Sequence, residues 1–219
     1  MSAPATEPAP PEALCALELT TIHEGIGILD VMAKAARTEI LAATPIPPGR
    51  FLIVLGGPVA EVEVAFQRGL EIAYNLHDRI YLPEVHPGVL LAARALDAGV
   101  VAARGSQRPT GPGESGAIDS IGLFETRSIS AALAAADRGL KGTSARLLHL
   151  HLARGVAGKG IGLFEGRQDA VEAALELARE RAEQHGGWIG ATLLARPDPD
   201  VAARLLRAPW GFFQGQELL

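Results

Sequence analysis

The chain repeats itself, and that constrains its fold more than any other feature. Glu18, Ile22, Asp30 and Lys34 recur as Glu125, Ile129, Asp137 and Lys141, each displaced by the same step (137 − 30 = 107). Further along, Gly49, Gly57 and Val62 recur as Gly158, Gly166 and Val171, at a step of 109 (158 − 49 = 109). The second copy therefore carries two extra residues in the loop before Gly158. A third block sets Pro87 opposite Pro199. The identities are sparse but stay in order, and 219 residues suit two domains of about 100 residues each. The segment between the copies is dense in Gly, Pro and Ser in its second half and reads as a linker. The expected layout is a disordered Pro- and Ala-rich arm over 1–12, a first domain over 13–97, a linker over 98–116, a second domain over 117–206 and a tail over 207–219.

Each copy has the same grammar, clearest in the second. Residues 117–124 form a short apolar strand. Ser128 is placed to cap a helix over 129–142, where Ala and Leu recur at helical spacing. Residues 146–152 alternate as a strand, a glycine-rich turn follows, and 161–165 return as a second strand of a hairpin. An amphipathic helix over 169–184 turns Ala170, Val171, Ala174, Leu175 and Ala178 inward. A strand over 188–195 and a short helix over 201–206 close the unit. The order is β-α-β-β-α-β. It predicts an α+β fold of two tandem ferredoxin-like, split βαβ domains, each with a mainly antiparallel sheet and its helices on one face.

Composition excludes several functions. Basic residues number 20 against 25 acidic ones, a net charge of -5, so nucleic-acid binding has no electrostatic support. No apolar run approaches the roughly 18 residues needed to span a bilayer, and the N-terminus lacks the basic start and apolar core of a signal peptide. A cytoplasmic protein is expected. Cys15 is the single cysteine, so one chain can build neither a disulfide nor a cysteine metal cage. Aromatics are only 5% of residues, so the core is built from small aliphatic side chains with little room for large pockets. No phosphate-binding loop, nucleophile elbow or zinc-protease motif occurs.

The second copy, through SIGLFETRSISAALAAADRGLKG, GVAGKG and FEGRQDAVEAALE, resembles the bacterial microcompartment shell domain. The first copy resembles it more loosely through LELTTI, PPGRFLIVLGG and LPEVHP. Two unpermuted copies in one chain resemble the tandem shell proteins, of which three chains form a flat pseudohexamer. The resemblance implies a structural, non-enzymatic tile of a microcompartment shell, a homotrimer with a central pore for metabolites. Its neighbours would be other shell proteins, hexameric tiles and pentameric vertices. Some tandem members hold an iron–sulfur cluster in the pore, on a cysteine just before the Pro-Gly of the first turn. Here that position is Pro47, so no metal and no cofactor are expected.

The resemblance also assigns roles. The turn Pro47, Pro48, Gly49 and Arg50, and the turn Arg154, Gly155, Val156, Ala157, Gly158 and Lys159, should line the pore. Their cations would favour anionic metabolites. Read by themselves, both are ordinary hairpin turns. Lys34, Lys141 and Arg196 match tile-edge positions, although each lysine also follows an aspartate by four residues as in a plain helical ion pair. Copy one has Glu84 where copy two has Arg196. His149 and His151 share one side of a strand but lack the further ligands a metal needs, and no catalytic constellation is present. The architecture by itself also admits a trimeric ferredoxin-like sensor of small ligands.

Overall fold

The computed structural model describes residues 13–94, 119–152 and 157–205. The first domain runs β1 (Ala13–Leu19), α1 (Ile22–Ala35), β2 (Glu39–Ile46), β3 (Arg50–Gly57), α2 (Val59–Ile72), β4 (Leu76–Leu82) and α3 (Pro87–Arg94). The second repeats it as β5 (Ser120–Thr126), α4 (Ile129–Gly142), β6 (Arg146–Leu152), β7 (Gly160–Gly166), α5 (Gln168–Glu183), β8 (Trp188–Ala195) and α6 (Pro199–Leu205). The sheets are ordered β2-β3-β1-β4 and β6-β7-β5-β8, and all their pairings are antiparallel. The expected arm, the linker and the tail lie outside the described residues, as do Arg154, Gly155 and Val156.

Strand alternation divides each sheet between two cores. In β1, Ala13, Cys15, Leu17 and Leu19 face α1 and α2, where they meet Ile28, Met32, Val62 and Phe66. Leu14 and Ala16 face the other way and join Val89 and Leu90 of α3. In β5, Gly122 and Phe124 face the long helices. A side chain at Gly122 would strike Val171 and Leu175 of α5. Ile121, on the opposite face, clusters with Leu163 and with Ala202 of α6. The expectation of helices on one face therefore holds for the two long helices of each unit. The third, short helix closes the other face, because both faces of these strands are apolar and both must be covered.

Local signals set the ends. Ser128 accepts from the Ala131 amide at 3.1 Å and caps α4 as expected. Asp198 accepts from the Asp200 amide at 2.9 Å and Pro199 opens α6, so this helix starts two residues before the expected position. Glu84 and Arg196, both at positive φ (52° and 48°), turn the chain between the last strand and the short helix of each unit. His149 and His151 lie on β6 paired with Leu163 and Ile161, on the face away from the long helices, and both are buried.

Candidate functional site: the paired turns and the domain junction

The turn between β2 and β3 lies against the described end of the turn between β6 and β7, at Gly158. In the first, Gly49 donates to the Ile46 carbonyl at 3.0 Å across Pro47-Pro48, whose peptide is cis. Gly49 has φ 96° and Gly158 has φ 80°, conformations that side-chain-bearing residues avoid. At Gly158 a second constraint applies: a Cβ there would lie 2.7 Å from the Pro47 carbonyl oxygen. Only glycine lets the second turn sit on the first. Pro47, Pro48, Gly49 and Ala157 are exposed at the rim of this pair.

The cations that follow the turn glycines do not point outward. Arg50 and Lys159 are equivalent residues, and each is aimed at the equivalent glutamate at the end of its unit's first strand. Lys159 Nζ lies 2.8 Å from Glu125 Oε1, and Arg50 Nη1 lies 3.9 Å from Glu18 Oε2. Lys159 is thus paired within the chain, and Arg50 is turned toward a buried carboxyl rather than to the open rim. Cys15 is remote from this chemistry. It is fully buried in β1 on the helix side, and burial pushes its thiol up to about 12, so the thiol stays protonated at neutral pH.

Glu18 belongs to a junction that sequence reasoning missed. Helix α4 of the second domain lies across the back of the first sheet, and 11 of its 14 residues are buried. Four polar contacts fasten it. Ser130 N–H donates to Glu18 Oε1 at 2.7 Å, and Ser128 Oγ donates to the Asp78 carboxylate. At the far end His86 N–H donates to Asp137 Oδ1 at 2.7 Å, and Lys141 Nζ donates to the Pro83 carbonyl at 3.4 Å while pairing with Asp137 at 2.7 Å. The Glu18 carboxyl is pushed up to about 7. Burial is the main cause and Asp78 adds to it, against the Ser130 N–H and Arg50. The available signal was α4 itself, which reads Ile-Ser-Ala-Ala-Leu-Ala-Ala-Ala and has no polar side over two turns. A helix apolar all round is buried all round.

Of the expected edge residues, Lys141 stands where the two domains meet, Lys34 pairs with Asp30 at 2.6 Å on an open surface, and Arg196 is exposed. Equivalent positions differ sharply in exposure. Ile129 and Leu133 of α4 are fully buried, whereas their counterparts Ile22 and Ile26 of α1 are 39% and 55% exposed. Val89 of α3 is fully buried, whereas Val201 of α6 is 44% exposed.

Known proteins agree with this architecture. The BMC domain model matches twice, at residues 13–85 and 120–197. The chain is 33% identical over 187 residues to the bacterial microcompartment shell protein PduT of Citrobacter freundii, covering 85% of this chain and 93% of that one. Among solved structures, a microcompartment protein from Desulfitobacterium hafniense superposes with a TM-score of 0.71 at 26% identity, covering 87% of this chain and 98% of that one. A fused permuted hexameric shell protein of the RMM microcompartment shares the fold at 16% identity, with a TM-score of 0.52 over 78% of this chain and 84% of that one. With two BMC domains in tandem, the chain belongs to the family of bacterial microcompartment shell proteins.

Proposed function

We propose that the protein is a trimeric, non-catalytic tile of a microcompartment shell, pierced by a central pore that passes metabolites. The observation that carries this reading is the mismatch in exposure between equivalent faces. Within one chain, α4 of the second domain covers the back of the first sheet. The matching face of α1 and the matching strand face at β8 and α6 are left bare, with Ile22, Ile26, Ile189 and Val201 exposed. If the second domain of a neighbouring chain receives α1 as the first domain receives α4, each chain covers one bare face of the next. Such a head-to-tail contact either closes into a ring or runs on as a filament. With two domains per chain, three chains give the six positions of the family's flat tiles.

Closure would bring six turns to one axis, with Pro47, Pro48, Gly49 and Ala157 among the lining. Arg154, Gly155 and Val156 complete the second turn in this reading, and Gly158, Lys159 and Arg50 buttress it from behind. Lys34, Lys141 and Arg196 would meet neighbouring tiles, hexameric ones among them, with pentamers at the vertices. Within the described residues no helix is long and apolar enough to cross a membrane. Negative-stain microscopy of the overexpressed protein tests the reading. Extended sheets, tubes or closed shells are expected, and uniformly discrete particles at high concentration would contradict it.

A further inference from the structure

Beside the junction runs a groove of about 470 Å³, between the outer edge of β4 and the C-terminal end of α5. One wall holds Arg79 and Arg181 with the imidazoles of His77 and His185, and the floor is formed in part by Tyr81, stacked on Phe66 at 5.7 Å. We propose that this groove binds the phosphate group of a small phosphorylated metabolite, gripped between the guanidinium groups of Arg79 and Arg181. Planar guanidinium groups match phosphate oxygens in pairs, and a site of this volume suits a small organic ligand.

Three observations support the assignment. First, the two arginines are uncommitted. Neither Arg79 nor Arg181 makes an ion pair among the described residues; the same is true of Arg37, Arg127, Arg138, Arg196 and Arg204, but Arg79 and Arg181 are the arginines that line this one groove. The hydrogen-bond partners of the Arg181 side chain are Gln184 and the His185 ring, each at 2.9 Å, and neither is a carboxylate.

Second, the carboxylate and the carbonyls that border the groove have donors of their own, although Asp78 keeps its charge. Asp78 also lines the groove, but its carboxylate accepts from Ser128 Oγ and, at 2.7 Å, from the Arg79 amide. The carbonyl end of α5 would repel an anion if it were open. Instead the amides of Gln184, His185, Gly186 and Gly187 return to the carbonyls of Glu180, Ala182 and Glu183. The His77 ring is held below its ordinary range by burial and then by the charge of Arg50, so it is neutral at physiological pH and can offer an N–H.

Third, the tile does not require these charges. At the equivalent strand in the second domain, His77, Arg79 and Tyr81 are replaced by Ile189, Ala191 and Leu193, and Ile72 of α2 stands in the place of Arg181. A repeat built twice for one architectural purpose has acquired the cationic groove once.

The test is calorimetric titration of the full chain with phenyl phosphate, and with benzyl alcohol as the uncharged control. Saturable binding of one phenyl phosphate per chain is expected, with no response to benzyl alcohol. The double variant Arg79→Ala/Arg181→Ala should weaken binding at least about tenfold, because charge-assisted hydrogen bonds to phosphate contribute that factor or more. Neither side chain is buried, so an unchanged circular dichroism spectrum is expected as well. Absence of saturation by about 10 mM, an affinity below the range of weak specific sites, would overturn the proposal. So would binding of equal strength by the double variant. The groove lies within one chain and its occupancy does not depend on ring closure, so assembly measured on the same samples separates this proposal from the shell-tile reading.

Discussion

Helices α1 and α4 are copies of one element in two environments. They start at equivalent residues, have the same length and end in the same Asp-x-x-x-Lys step. Yet α4 is buried on nearly every side, whereas α1 buries only Glu24, Gly25, Ile28 and Met32, the side turned to its own sheet. The two sequences record the difference. Where α4 has Ser130 and Ala131, α1 has His23 and Glu24. Glu24 folds back to accept from the Tyr74 and Asn75 amides at 2.9 and 3.1 Å, inside its own domain. The bare face of α1 still carries Ile22, Ile26 and Ala33, spaced as a contact stripe. One copy has its partner within the chain, and the other presents an exposed apolar stripe. Because α4 is used this way already, the structure contains a template for the contact that α1 should make.

Substitutions at equivalent positions sharpen this contrast. The largest effect is expected from Leu133→Ala, which opens a cavity between the domains and should cost about 2–5 kcal/mol in denaturant unfolding. Ile26→Ala, its counterpart, should change the stability of the dissociated chain by less than about 0.5 kcal/mol. Similar losses at both positions in the monomer would break the comparison.

Next in size is the pH dependence of the junction. Glu18 takes up a proton near pH 7 in the folded chain and near 4.5 when unfolded, so between those values the folded state binds more protons. The Glu18 contribution is then fully present below about pH 4.5 and is lost as pH rises through about 7, by roughly 3 kcal/mol at most. Glu18→Gln should flatten that part of the stability profile measured by urea unfolding, and an unaltered slope would refute the assignment.

Smaller still is the effect at the proposed tile edge. Arg196→Ala combined with Lys141→Ala should leave the trimer intact but disrupt extended sheets under the microscope, since edge contacts rest on a few anchors. Lys34→Ala removes an exposed helical ion pair and should shift stability by only about 0.3–0.5 kcal/mol.

Much of this architecture was legible in the residues because periodicity and punctuation agree. Ser128, the Ala–Leu run and the glycines at 158 and 166 set α4 and the β6–β7 hairpin to within a residue. Strand β5 starts at Ser120, three residues after the expected position, and Asp119 just before it accepts from the Gln168 amide at 3.2 Å. That contact pairs residues 49 apart, and no local pattern announces it. The turns were legible as turns, but not the direction of Arg50 and Lys159. A cation beside a glycine turn reads as solvent-facing until the glutamate on the next strand is seen within reach. The junction was the least legible part. Glu18 and Ser130 lie 112 positions apart and meet only because one domain docks on another. The apolar circumference of α4 was the one local trace of that docking, and it does not name the surface that covers it.

The central claim is that the bare face of α1 is covered by the second domain of another chain. Light scattering on size-separated protein at micromolar concentration tests it most directly, comparing the native chain with the double variant Ile22→Glu/Ile26→Glu. The native chain should show three times the 22.9 kDa of a single chain, and the variant should fall to the single-chain mass with its circular dichroism unchanged. A native protein that runs as a monomer, or a variant that remains a trimer, would contradict the account.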